Sequence, residues 1–156
     1  MKESLLHLIV KETAMGTVYA EITLQNSADW VNAKEGLIKD EDVRSVTVNA
    51  VVDTGAMSLC ITEQLFQKLG LSTKKEREVR VANGQRVICK VTDPVEIWWK
   101  DRYTAVPAVV IPGAEIVLLG VIPLEDLDLM VNPVTQELAG VHGDSWESMA
   151  LCISYT

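Results

Sequence analysis

The chain has 156 residues, the size of one domain, and can bury roughly two-thirds of the surface its unfolded form would expose without a metal or disulfide staple. Its net charge is −8, from 14 basic and 22 acidic side chains, and no Lys/Arg cluster could track a phosphate backbone, which argues against nucleic acid as a partner. With 48% hydrophobic residues but only 5% aromatic ones, and many β-branched side chains in the apolar runs, the composition tilts towards a β class.

Residues 1–15 read as an N-terminal extension. Their apolar patch at 5–10 follows the acidic Glu3 and leads to no small-residue cleavage site, so no signal peptide is expected. Met15 offers an alternative start to Met1. No run reaches the length of a membrane span. Cys60, Cys89 and Cys152 are odd in number and far apart, which suits buried thiols in a reducing compartment better than a disulfide framework or a zinc site. The expected location is the cytoplasm, with no membrane partner.

Residues 16–25 alternate as a strand, with Val18, Ala20, Ile22 and Leu24 on one face. Residues 26–43 are polar and carry Gly36 and the acidic group Asp40, Glu41 and Asp42; they read as a long loop or hairpin excursion. The three carboxylates lack the spacing of a calcium loop and read as a solvated turn. A second strand over 44–53 becomes apolar on both faces at Ala50, Val51 and Val52, as a strand entering a core should, and delivers Asp53 at its buried end. A short helix follows, with Thr62 as N-cap, Leu65, Phe66 and Leu69 as its apolar face, and Gly70 as terminator.

From residue 76 the pattern is one of hairpins. Asn83-Gly84 lies between two alternating strands, a strong hairpin signal. A second pair spans 94–111 with Asp101-Arg102 at its turn, and Trp98 and Trp99 face opposite sides of their strand, so that at least one is packed. An apolar strand then reaches Gly120, Pro123 opens a short helix through Leu127, residues 129–131 form a strand, and Asn132-Pro133 turns into a last one. Glu125, Asp126 and Asp128 read as solvent-facing charges at the start of that helix. Residues 144–156 form a tail with no clear assignment.

Asp-Thr-Gly at 53–55 is a weak signal alone. Its companions raise its value: a valine strand before it, Ala56 after it, the Asn-Gly hairpin downstream, and then Leu118-Leu119-Gly120. In this order the chain resembles the retropepsin-like aspartic proteases (clan AA), in particular the bacterial single-domain members. The resemblance runs over about residues 16–138 and rests on "VVDTGA", "VANGQ" and "VLLGVIPLEDLDLMVNP". It implies a small all-β, closed barrel over 16–143 with one or two short helices, and an endopeptidase acting on extended peptides.

The chain holds a single Asp-Thr/Ser-Gly; Asp144-Ser145 is followed by Trp146. The resemblance therefore implies a homodimer in which Asp53 of each subunit meets at a twofold axis. Two adjacent carboxylates share one proton, so one serves as base and the other as acid towards a water that attacks the peptide carbonyl. Neither metal nor other cofactor is needed for this chemistry. By the same resemblance, Thr54 locks the two loops across the axis, Gly55 lets backbone N–H groups approach the carboxylates, and Leu118, Leu119 and Gly120 support the loop from beneath. Ala56 leaves room for the substrate main chain, and Ala82, Asn83, Gly84 and Gln85 form the tip of a flap.

Two positions depart from the retroviral pattern. Met57 stands where those relatives carry Asp and Val121 where they carry Arg, so a charge pair is lost as a unit and neither member is left buried alone. The cleft edge near Met57 is expected to be apolar. His7 and His142, the only histidines, lie in no catalytic or ligand spacing, and Cys60 reads as an inert buried thiol. A dimeric peptide-binding module with little or no cleavage, or a protease restricted to processing itself near the N-terminus, are the alternatives.

Overall fold

The computed structural model describes residues 16–81 and 83–144. Glu3, His7, Met15, Ala82, Cys152 and the tail from Ser145 onward lie outside the described residues. Nine strands are formed among the described residues: β1 (Val18–Asn26), β2 (Ser45–Val52), β3 (Leu59–Ile61), β4 (Thr73–Arg80), β5 (Arg86–Trp99), β6 (Arg102–Val110), β7 (Leu118–Leu119), β8 (Leu129–Asn132) and β9 (Glu137–Gly140). Three short helices accompany them among the described residues, α1 (Ser27–Lys34), α2 (Glu63–Lys68) and α3 (Val121–Asp126), with a 3-10 turn at Asp40–Asp42. That exceeds the one or two helices expected.

The main sheet runs β1-β2-β7-β3-β6-β5-β4, and β1 also pairs with β5. Hydrogen bonding thus returns to its starting strand; β4 stands outside the ring of pairings, and β8 and β9 pair with each other as a separate two-stranded sheet. The alternation read in β1 holds, with Val18, Ala20, Ile22 and Leu24 all buried. Successive side chains of a strand point to opposite faces, and the central strands feed two apolar clusters in this way. Ala50, Val52, Leu59, Ile61, Ala108 and Leu119 enter the main core, while Val51, Cys60, Cys89, Val109, Ile111 and Leu118 form a second, smaller cluster on the other side. This explains why residues 50–52 are apolar on both faces.

The excursion at 26–43 opens with a helix, α1, followed by a turn and the 3-10 turn at Asp40–Asp42, and forms no hairpin. Asn26 caps α1 by accepting the Asp29 N–H at 3.0 Å, and Asp29 is the helix's one buried residue. Its carboxylate accepts from Arg44 Nε at 2.8 Å, Arg44 Nη2 at 2.9 Å and the Arg44 backbone N–H at 3.1 Å. The Arg44 side chain holds the Asp29 carboxyl below the usual carboxylate range. The acidic group at Asp40–Asp42 is exposed, as a solvated turn should be.

Thr62 caps α2 through its hydroxyl, which accepts the Leu65 N–H at 3.1 Å, and Gly70 ends it at φ +62°. The Asn-Gly hairpin is present: Gly84 N–H donates to Val81 O, Val81 N–H to Gln85 O, and Gly84 adopts φ +86°. The next hairpin turns one residue earlier than expected. Trp99 pairs with Arg102, so the turn is Lys100-Asp101, with Lys100 at φ +52°. Arg102 opens β6 and is fully buried. Its guanidinium donates to Leu127 O, Asp128 O, Asp128 Oδ2 and Gly143 O, fastening the β8–β9 hairpin to the main sheet. Trp98 stacks on Tyr103 at 4.8 Å between centroids, and Trp99 packs against the main core.

Helix α3 begins at Val121, with Gly120 as its N-cap and Pro123 as its third residue. Glu125 and Asp126 therefore end the helix and do not begin it. Asp128 is buried, at φ +55°, and accepts from Arg102 and from the His142 backbone N–H at 3.2 Å, with His142 Nδ1 2.6 Å from its Oδ1. It is not a solvent-facing charge. Among the described residues, no helix is long and apolar enough to cross a membrane.

Candidate active site

Asp53 follows the last residue of β2 and is only 6% exposed. Its position is fixed from several directions. Parallel pairing sets Val51 beside Leu118 and Val52 beside Leu119, and the Asp53 N–H donates to Leu119 O at 3.0 Å. The carboxylate folds back on its own turn: Oδ1 accepts the Gly55 N–H at 2.8 Å, and Asp53 O accepts the Ala56 N–H at 3.1 Å. A Cβ on Gly55 would stand 3.1 Å from that Oδ1, so the absence of a side chain keeps the approach free.

The loop beyond Asp53 is held by the start of α3. A helix leaves its first N–H groups without intrahelical partners, and here they find the loop carbonyls. Gly120 N–H donates to Ser58 O at 3.1 Å, Val121 N–H to Ala56 O at 2.8 Å, and Ile122 N–H to Met57 O at 2.9 Å. Gly120 permits this closeness. A Cβ there would lie 2.5 Å from Ser58 O and 2.7 Å from Ala56 O. Leu118 and Leu119 are buried beneath, one in each apolar cluster.

Above the loop lies a cleft of about 470 Å3. Its floor is Asp53, Gly55, Ala56, Met57, Ser58 and Cys60, its back wall Val109, Ile111 and Leu118, and its roof the β4 arm of the Asn-Gly hairpin from Arg77 to Val81. Met57 is 64% exposed at the edge. Of the residues singled out in the sequence, Asp53, Gly55, Ala56, Met57 and Leu118 meet at this cleft. Leu119 and Gly120 lie beneath the loop, Thr54 is exposed beside it, and Val121 is half-buried in α3. Asn83, Gly84 and Gln85 are exposed at the hairpin tip and do not line the cleft, and Ala82 is outside the described residues.

The sequence reading did not single out the roof residues Arg77, Val79 and Val81 or the wall residues Val109 and Ile111. The alternation of Val79 and Val81 ahead of Asn83-Gly84 is the signal that could have found the roof. Cys60 lines the cleft, but burial pushes its thiol up to about 12, with Cys89 and Asp53 adding to the effect. It stays protonated at neutral pH and offers no thiolate nucleophile.

The profile of the family described as "Aspartyl protease" matches residues 39–122, more than half of the chain. That segment contains β2, Asp53, the roof hairpin, β7 and the first residues of α3. Among solved structures, the protease of EIAV in complex with the inhibitor HBY-793 is similar at 25% identity, over 52% of this chain and 77% of that one, with a TM-score of 0.44. No curated protein matches the chain. By the match over 39–122, the chain belongs to the aspartyl protease family.

Proposed function

We propose that the chain is an aspartic endopeptidase that works as a homodimer, with one Asp53 from each copy forming the catalytic pair. The observation that carries this reading is the presentation of Asp53: a nearly buried carboxylate, held at the end of a central strand, lines a cleft roofed by a hairpin. One Asp-Thr-Gly per chain supplies half of the pair. Exposed Thr54 and Gly55 beside it suit contact with a second copy.

In this mechanism the two carboxylates share one proton and hold a water between them. The ionised carboxylate takes a proton from the water as its oxygen attacks the peptide carbonyl, and the protonated one donates to the carbonyl oxygen, giving a neutral tetrahedral diol. Collapse of the diol breaks the C–N bond as the amine takes up a proton, and the pair is left with one proton again. An extended peptide would lie between the floor and the roof, held by main-chain hydrogen bonds as an added strand. The hairpin tip at Asn83, Gly84 and Gln85 would move to admit it. The ring of strand pairings suits the closed barrel of such an enzyme, and free thiols at Cys60 and Cys89 suit a reducing compartment.

The test is incubation of wild type and Asp53→Asn with a mixed peptide library from mildly acidic to neutral pH, with new termini read by mass spectrometry. Cleavage by wild type alone is expected. Cleavage by both would remove Asp53 from the chemistry, and cleavage by neither, with a dimer present, would favour a peptide-binding module.

A further inference from the structure

The hairpin over Asp53 carries a charge pattern of its own, and strand alternation decides which charges face the cleft. Across β4 and β5, Arg77 stands opposite Cys89 and Val79 opposite Val87. Cys89 is buried in the smaller apolar cluster, and Val79 and Val87 pack against it. Residues directly opposite in an antiparallel pair leave the sheet on the same face. Arg77 therefore leaves β4 on the cleft side, where it lines the cavity.

Its neighbours do not neutralise it. Glu78, one residue on, leaves β4 on the outer face and pairs with Arg86 at 3.0 Å. The other arginine ion pairs among the described residues are Arg44 with Asp29 and Arg102 with Asp128. The cleft's remaining carboxylate, Asp53, belongs to the chemistry. Arg80 also lines the cleft, but it stands opposite Arg86 and leaves β4 on the same outer face as Glu78, so what faces an occupant is an apolar floor and wall, Met57 at the edge, and Arg77 on the roof.

We infer that Arg77 is a specificity-determining residue that receives an acidic side chain of the bound peptide, while the peptide's apolar side chain fills the floor below. This rests on the peptidase reading above and names its substrate class: extended peptides with an apolar residue near the cleaved bond and Asp or Glu further out. A twofold pair of chains carries one Arg77 on each hairpin, so the preference applies on both sides of that bond. The chain's net charge of −8 repels acidic peptides at long range. The local contact must outweigh that repulsion, which makes the preference a diagnostic one.

The experiment measures binding by fluorescence anisotropy on the Asp53→Asn chain, which reads the contact whether or not the wild type cleaves. The probes are labelled peptides with one apolar centre and Glu, Gln or Lys at the outer positions. An exposed Arg–carboxylate contact corresponds to about 1.4- to fivefold in affinity, so the Glu peptide should bind that much more tightly than the Gln peptide. Adding Arg77→Gln should abolish the difference, Arg77→Glu should invert the order towards Lys, and Arg77→Lys should restore part of it. Arg77 is exposed on a strand arm, so folding should survive all three changes. Equal affinities for the three peptides, or no binding of any, overturns the assignment. A change in the dimer dissociation constant without a change in peptide preference would place the carboxylate partner on the second copy and overturns it too. Wild-type cleavage of the same peptides, run in parallel, tests the peptidase reading separately.

Discussion

Gly120→Ala is the substitution that strains the site most directly. The added Cβ would meet Ser58 O at 2.5 Å, Ala56 O at 2.7 Å and the Met57 carbonyl carbon at 2.8 Å, all of them backbone atoms. No side-chain rotation relieves such contacts, so the loop must move away from β7 and α3. Overpacking of this kind costs about 1–3 kcal/mol, and weakening one or two of the three hydrogen bonds that α3 makes to the loop adds roughly 1 kcal/mol. A total of about 2–4 kcal/mol corresponds to a fall of roughly 4–16 °C in Tm for a chain of this size. Asp53 shares that loop, and a displacement approaching 1 Å costs about a hundredfold in rate. The assays are thermal unfolding and Asp53-dependent cleavage. Gly36 is the control, since a Cβ there meets nothing within 4 Å and only its φ of +78° opposes the change, at about 1–2 kcal/mol. A Gly120→Ala chain with wild-type Tm and rate would refute the claim that α3 positions the catalytic loop.

Asp29→Asn should cost about 1 kcal/mol at neutral pH, because Arg44 loses a charged partner but is itself half exposed. The Asp29 carboxyl is held low in the folded chain, so this stability is present above its ordinary value of about 4 and is lost as pH falls through the lowered one. Urea midpoints of the two chains should converge in acid. Glu96 is buried at 5% exposure and burial pushes its carboxyl up. Its stabilising protonated form is fully present below the ordinary value and is lost as pH rises through the raised one, so Glu96→Gln should raise Tm at neutral pH and leave it unchanged in acid. Arg102→Ala takes a charged donor from the carbonyls of Leu127, Asp128 and Gly143 and breaks the ion pair with the Asp128 carboxylate, which keeps its His142 contacts, at about 3–5 kcal/mol. Hydrogen exchange should speed up first in β8 and β9.

The sequence carried most of the elements that position the site, because each rests on a local signal. The two-residue period of β1, the double-sided apolar run before Asp53, the Thr62 cap and the Asn83-Gly84 turn are decided by neighbours in the chain. The features that escaped depend on distant partners. Helix α1 has no apolar stripe, and its one buried residue, Asp29, is held by Asn26 and by Arg44 from outside the helix. Strand β3 has three residues and exists because β7 and β6 flank it. Pro94 reads as the start of a new strand, yet β5 runs through it, since Pro94 and Pro107 face each other beside a register shift where neither amide is needed. Arg102 reads as a turn charge and Asp128 as a solvent-facing helix charge, and both are buried because each finds the other across 26 residues.

The central claim is that the active site needs two chains, and mixing tests it most directly. At constant wild-type concentration, increasing amounts of Asp53→Asn are added and allowed to exchange, and peptide cleavage is recorded. Random pairing in twofold dimers leaves about half of the wild-type chains with a wild-type partner at equal amounts and about a tenth at ninefold excess, so activity should fall in that proportion. Cleavage that stays constant as the inactive chain is added would contradict the account, because each chain would then be complete on its own.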